Sequence, residues 1–421
     1  MERPTPAEKA AALRDKIGTH VAPAGAYELH KRLPFAGRVR CDVRSIVAGS
    51  WQEIVLDYEV GSSGIADGAW FKATFKFYSD WGLFQTVDPA AANYVSAEYQ
   101  AGPLSPGQTP ATVQALAVRF DQKGHERPFQ KAVIVDVVDG YLNAGDHIII
   151  RLGDRRGGGP GTRVQTFVED GFRFRCYVDP LGTSRFVAVP GDTVIRVVAG
   201  PAARILVNGP RFARRGDATA VRITVQDRWG NPAEDMPMRL RFRWFEHGSG
   251  TALGEGELFT PAEGWATLAL ALPANATGSI GLEIECPDQP AVAPARAWVT
   301  VDDGWPAPRA FYADLHVHAH DTVGTNSPAY NAAYARDIGG VDVLGYTAND
   351  FQITDQNWRL GVEAVNAFNE PGRFVTYAVQ EWCGSSTAGG DHNVVFLSDE
   401  APGFLTTRAA STTAPCSGTR T

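Results

Sequence analysis

The 421-residue chain predicts a multidomain protein: two all-β sandwich-like domains followed by a partial α/β domain. Three observations carry this. Apolar and polar residues alternate at period two through most of the chain up to about residue 303. Gly and Pro clusters break that alternation at the spacing of short strands. From about 304, strand-like runs alternate with helix-like ones, which is the grammar of β/α units.

Bulk properties narrow the class. The length exceeds what one ordinary core serves. Hydrophobic residues make up 44% and charged residues 20%, as in globular chains. The net charge of −8 argues against a general nucleic-acid binder, which carries a basic face. No apolar run approaches the roughly 18 residues of a membrane helix, so no membrane partner is expected. The opening "MERPTPAEKAAALRDKIGTH" lacks the apolar core of a signal peptide. It reads as a short amphipathic helix or a loose tail over 1–26. Cys41, Cys176, Cys286, Cys383 and Cys416 lie far apart without a CxxC pair, which speaks against a disulfide framework and for a reducing, cytoplasmic setting.

The first β domain spans 27–200. In "QEIVLDYEV", Ile54, Leu56, Tyr58 and Val60 share one face. In "AWFKATFKFYSDW", Phe71, Ala73, Phe75 and Phe77 do so, with Lys72, Thr74 and Lys76 outward. "KAVIVDVV" and "DHIIIRLGD" are further strands of a sandwich. "GDRRGGGPGTR" lacks the GK[ST] ending of a phosphate loop and reads as a turn between strands.

The second β domain spans 201–303. "AVRITVQDRWGNPAEDMPMRLRFRW" reads as strand, turn, strand, with Val221, Ile223 and Val225 on one face and Leu240, Phe242 and Trp244 on another. "DRWGNP" supplies the turn. With "GWATLALAL", "SIGLEIEC" and "ARAWVTV", about seven short strands fall in roughly 100 residues, the spacing of an immunoglobulin-like sandwich. The unit resembles bacterial immunoglobulin-like repeats by pattern.

The third domain spans 304–405. The strand "AFYADLHVH" precedes the helix "SPAYNAAYARDIG", with Ser327 as N-cap and Pro328 behind it. The strand "VDVLGYT" precedes the helix "DQNWRLGVEAVNAFN", which "NEPG" ends. "RFVTYAVQEW" and "NVVFL" follow. The residues 406–421, rich in Thr, Ala and Ser, cannot join a core; they read as a truncation, a shifted reading frame or a disordered tail.

The chemistry lies in this third domain. Nine histidines serve the whole chain, and His316, His318 and His320 fall within five positions. On an extended strand, Asp314, His316 and His318 share a face, with Leu315 and Val317 opposite. Two imidazoles at a strand's C-terminal end form a platform for a cation. Glu381 ends the third strand among apolar residues, where an unpaired carboxylate is costly. His392 follows on a Gly-rich loop. These four are the ingredients for one or two divalent ions, zinc, manganese or iron. Cys383 reads as a buried small residue without a base partner. No GxSxG supports a nucleophile-elbow hydrolase.

"ADLHVH", "GGVDVLGYTAND" and "FVTYAVQEW…GGDHNVVF" resemble successive motifs of the PHP superfamily, named for polymerase and histidinol phosphatase. The likeness covers about 308–400 and is nearest to the branch with an N-terminal β region, which "SDWGLFQTVDP" at Ser79–Pro89 also resembles. The resemblance implies a distorted β/α barrel, mostly phosphoesterase activity, and a small-molecule ester or phosphoester as substrate. It implies His316 and His318 as ligands of a first metal, Glu381 as bridging carboxylate, His392 as a second-metal ligand and Asp321 as an acid assisting proton transfer. His320 is a spare donor or a solvated loop residue. The chain departs from the pattern where the family usually reads "TDH": Thr347, Ala348 and Asn349 stand there, which puts a third metal in doubt, and the family's later ligands do not follow Glu400. Three readings result: a metal-dependent hydrolase, an inactive remnant serving as a β-sandwich binding module, or a secreted module.

Overall fold

Period-two alternation becomes sheet over most of the molecule in the computed structural model. It describes residues 34–401 except 216–218, 235, 271, 273–275, 305–309, 385, 386 and 388. The expected N-terminal helix or tail and the tail at 406–421 lie outside the described residues. Two compact units emerge. One holds the described residues up to Thr166 together with Gly171–Val197; the other holds Phe167–Asp170 and the described residues from Val198 on. The chain leaves the first unit after Val197, and described residues on both sides of 303 belong to the second.

The first unit contains two five-stranded sheets. One is ordered Gly191–Asp192, Arg38–Cys41, Ile54–Glu59, His147–Leu152, Val95–Gln100. The other is ordered Val187–Val189, Arg175–Asp179, Trp70–Phe75, Lys131–Val138, Ala115–Asp121. Ile54, Leu56 and Tyr58 join Phe71, Ala73 and Phe75 in one core. Tyr58 and Phe71 stack with ring centroids 4.6 Å apart. Fully burying a side chain the size of Ile54, Leu56 or Phe71 contributes about 1.5–3 kcal/mol.

Two expectations for this unit need correction. Lys72 and Thr74 do not face solvent: they are buried. Trp70–Phe75 is a central strand, and its second face is covered too. The Lys72 ammonium donates to the Gly124 carbonyl at 3.1 Å and sits 3.9 Å above the Phe186 ring, which offsets its desolvation. Phe77 lies beyond the strand's end at Phe75.

The "SDWGLFQTVDP" stretch has a structural role. Trp81 is buried, packs on Phe172 at 4.8 Å and donates its indole N–H to Thr162 Oγ1 at 3.0 Å. Ser79 donates to Gln165 Oε1 at 2.8 Å, and Gln85 Oε1 accepts from the backbone of Val87 and Asp88. The Gly-rich loop is likewise tied down: Arg155 donates to the carbonyls of Trp51 and Pro160, and buried Asp154 is gripped by Arg156 and Ser96.

In the second unit, residues 201–303 form a sandwich. Ala202–Asn208, Thr219–Asp227 and Trp265–Leu270 make one sheet. Phe212–Ala213, Ala295–Val301, Gly278–Glu285, Met238–Glu246 and Ala252–Thr260 make the other. Val221, Ile223, Val225 and Leu240 fill the core, with Phe242 and Trp244 packed at its margin. Fully buried Asp227 builds the "DRWGNP" turn: it accepts from the backbone N–H of Trp229, Asn231 and Gly200 and from the Asn231 amide. Outward Arg239, Arg241 and Arg243 pair with Glu257 and Asp288, Glu285 and Glu283. These pairs are solvated and add little stability.

The last sheet is ordered Ala313–His318, Val343–Asn349, Val375–Trp382, His392–Val395. The first three strands are parallel and the fourth is antiparallel. Among the described residues it is an open sheet, not a closed barrel. Ser327 Oγ accepts from Tyr330 N at 3.1 Å to cap Pro328–Ala333, which continues as a π-helical turn, Tyr334–Gly339, before left-handed Gly340. Thr354 caps Asp355–Asn366. Ala332, Trp358, Val362 and Val365 pack with Leu344, Tyr346, Ala348 and Ala378. The alternate residues of the strands are left to form a site.

Candidate metal centre

Register decides which side chains meet. In neighbouring strands, residues in register share a face. Thr347 and Asn349 stand opposite the helix-facing set of Leu344, Tyr346 and Ala348, and Asn349 is in register with Glu381. Asp314 pairs with Leu344, Val317 with Tyr346 and His318 with Thr347. Leu315 and His316 together therefore face Gly345 alone, a β-bulge. Gly345 makes room for it: a Cβ there would lie 2.8 Å from Leu315 Cα and O. The bulge overturns the expectation that Asp314 shares a face with His318, because one extra residue reverses the alternation.

His316, His318 and Glu381 come together. His316 Nε2 and His318 Nε2 are 3.0 Å apart. Glu381 Oε2 lies 3.2 Å from His318 Nε2 and 3.7 Å from His316 Nε2. A tetrahedral cation with bonds of about 2.0–2.1 Å needs ligand atoms about 3.3–3.4 Å apart. The triangle of donors has that size, so these residues fit a zinc-like ion.

The surroundings tune the donors. Burial, with His316 alongside, holds the His318 imidazole down to about 4, so it is neutral at pH 7 and its lone pair is available. Burial raises Glu381, and Asp391 and Asp350 add to the rise, while His316 and the Asn349 amide oppose it. Asn349 is buried and donates through Nδ2 to Glu381 Oε2 and, at 3.4 Å, to Cys383 Sγ. Its Oδ1 is buried without a hydrogen-bond partner. Burial likewise pushes the Cys383 thiol up to about 11.

Two expected site residues lie elsewhere. His392 is in register with Trp382, so it falls on the face opposite Glu381, and its ring stacks on the indole at 5.6 Å. The antiparallel course of the fourth strand places Asn393 beside Glu381 instead. Asp321 accepts from the Tyr346 hydroxyl, on the helix-facing side of the sheet. Burial, then Asp321, raises the Tyr346 phenol above its ordinary value. His320 Nδ1 lies 2.7 Å from the Asn326 carbonyl, as a loop fastening.

Asn393 is a site residue that the sequence reading missed. Its Nδ2 lies 2.9 Å from His316 Nδ1. Turned about its last side-chain bond, the amide presents its oxygen there, accepts the Nδ1 proton and leaves Nε2 as the donor atom. Period-two alternation back from Val395 would have marked it, given the direction of the strand. Cys383 and Asp391 were also missed. With Glu381 they form a second group whose ligand atoms all lie within 4.8 Å of one another.

No protein-family model and no curated protein matches this chain. Among solved structures, a superoxide reductase from Ignicoccus hospitalis is 19% identical over 24% of this chain and 82% of its own, with a TM-score of 0.19. A ScaB type I cohesin from Pseudobacteroides cellulosolvens is 11% identical over 40% of this chain and 96% of its own, with a TM-score of 0.21. A β-glucuronidase from Parabacteroides merdae is 12% identical over 63% of this chain and 24% of its own, with a TM-score of 0.19. At such scores these likenesses assign neither a fold nor an activity to this chain.

Proposed function

We propose that the second unit carries the metal centre of a hydrolase resembling the PHP superfamily, acting on a phosphoester or another ester. The observation that supports it is the triangle of His316 Nε2, His318 Nε2 and Glu381 Oε2, sized for one tetrahedral ion. Two imidazoles and a carboxylate suit zinc, manganese or iron better than calcium. Such a cation supplies Lewis-acid polarisation of the ester oxygen and activates water near neutral pH. The chain's own residues prepare the donors. His318 stays unprotonated, Asn393 orients His316, and Asn349 holds the Glu381 carboxylate. Asp321, engaged by Tyr346, serves as an anchor for that phenol.

A second reading, an inactive β-sandwich binding module, is favoured by one observation. His392 faces away, and Asn349 occupies the family's histidine position, so the first triangle has no third imidazole. Metal content and hydrolysis separate the two. The purified chain is dialysed, its metal is quantified, and bis(p-nitrophenyl) phosphate and p-nitrophenyl acetate are offered. The hydrolase reading expects about one tightly held ion or more per chain and turnover that His318→Ala abolishes. Substoichiometric metal lost on dialysis, with no turnover, favours the binding module.

A further inference from the structure

We infer that Cys41 and Cys176 are a redox pair that closes into a disulfide across the core of the first unit and locks its two sheets together under oxidising conditions. Both residues belong to that unit, and the inference does not depend on the proposed metal centre.

Register brings the two together. Tyr58 and Phe71 stack across the core and mark one level of the sandwich. Ile54–Glu59 and Trp70–Phe75 run in opposite directions from that level, because the chain turns between them at one end. There the Val60 N–H donates to the Asp146 carbonyl, Ile65 bridges Leu142, and the Gly68 N–H donates to the Val137 carbonyl. The next level therefore holds Leu56 in one sheet and Ala73 in the other. Cys41 is in register with Leu56, and Cys176 with Ala73. Their strands, Arg38–Cys41 and Arg175–Asp179, lie on the same side of the sandwich, because Val95–Gln100 and Ala115–Asp121 meet at the opposite edge. The two cysteines are 3% and 4% exposed and belong to one continuous core. Burial raises the Cys176 thiol, and Cys41 adds to the rise.

Both residues stand as thiols in the structure. A disulfide spans Cα atoms about 4.4–6.8 Å apart, less than the roughly 10 Å between stacked sheets. Closure therefore draws the two strands together. Ala73 has the smallest side chain of that level and leaves room. Each strand also stands second from its sheet's edge, flanked outward only by the short Gly191–Asp192 or Val187–Val189. Glutathione disulfide serves as oxidant. One cysteine thiolate attacks it and expels reduced glutathione; the other attacks the mixed disulfide and expels a second. Two protein S–H bonds are lost and two glutathione S–H bonds form. Burial denies the oxidant access to the closed core, so the exchange belongs to the folding or opened unit. The link would close a long segment of the unfolded chain, which favours the folded state. In a reducing setting the same residues serve as small apolar core groups.

Oxidative refolding of the full chain tests this. The urea-unfolded chain is refolded with glutathione disulfide and reduced glutathione, or with dithiothreitol alone. Remaining thiols are alkylated, and the digested chain is read by mass spectrometry. Circular dichroism confirms folding. The expected product is a peptide pair joined through Cys41 and Cys176, two hydrogens lighter than the separate peptides. The oxidised chain should melt at a higher temperature than the reduced one, and dithiothreitol should abolish the difference. Cys41→Ala and Cys176→Ala should each lose the link and the difference. Folded oxidised chain in which both cysteines are recovered alkylated overturns the pair. Links that join either of them to Cys286, Cys383 or Cys416 instead also overturn it. A linked chain that melts with the reduced one overturns the lock. If refolding yields no folded chain, the same peptide pair is sought in chain expressed in an oxidising bacterial compartment, where its absence from folded protein is equally decisive.

Discussion

Glu381 lies in register with Asn393 across the last strand pair, while the neighbouring pair joins Trp382 to His392. This offset of one position decides the composition of the site. It sets an amide against His316 and turns the nearby imidazole onto an indole. Asn393→Ala should leave the fold intact and weaken metal uptake by about 10–100-fold, the usual cost of losing the partner of a ligating histidine. His392→Ala should change uptake little. Equilibrium dialysis with zinc compares the two, and the opposite ranking would refute this assignment.

The double substitution His316→Ala/Glu381→Gln removes two corners of the donor triangle. Tight metal uptake at the first centre should be lost, with the thermal midpoint of the chelated protein close to that of chelated wild type. Metal analysis after dialysis reads the first and calorimetry the second.

His318 makes the metal-free protein sensitive to acid. Its folded-state pKa, held down to about 4, lies below the ordinary value of 6.5. The folded state therefore binds fewer protons than the unfolded chain in that window. This contribution to stability is fully present above pH 6.5 and is lost as pH falls through about 4. The raised Glu381 carboxyl acts with opposite sign, since it favours the protonated folded form as pH falls. The specific check is the imidazole signal of His318 in the chelated protein by NMR. Its midpoint should fall near pH 4, and a midpoint near 6.5 would contradict the burial argument.

Gly345 accommodates the bulge that carries His316. Gly345→Val would press its side chain into the backbone of Leu315, which cannot step aside as a flexible side chain could. A loss of about 1–3 kcal/mol is expected, with metal affinity falling as the two histidines separate. Urea unfolding and zinc titration follow the two effects.

Asp227→Ala should be more damaging than its place in a turn suggests. The carboxylate accepts from four N–H groups in a fully buried position, and each orphaned donor costs about 1–3 kcal/mol. A marked drop in the thermal midpoint is expected, while Asp227→Asn should recover part of it.

Much of the architecture was legible because period-two alternation is a local property. Ile54, Leu56 and Tyr58, or Val221, Ile223 and Val225, declare a buried face wherever the strand ends up. Ser327 before Pro328 declares a helix start for the same reason: the cap needs only the next three residues. Lys72 and Thr74 show the limit of that logic. A half-buried and a central strand differ in what lies over the second face, which is set by residues 50 or more positions away, as Gly124 and Arg175 are.

The sequence by itself determined the mostly β character, the change of period near residue 304 and the pool of donors around His316, His318 and Glu381. Tertiary structure decided which donors share a face. A bulge at Leu315–His316 reversed the alternation within one strand, and an antiparallel fourth strand exchanged Asn393 for His392. Neither is encoded by spacing, because a side chain's face depends on the register and direction of the strand beside it, and a shift of one residue inverts it.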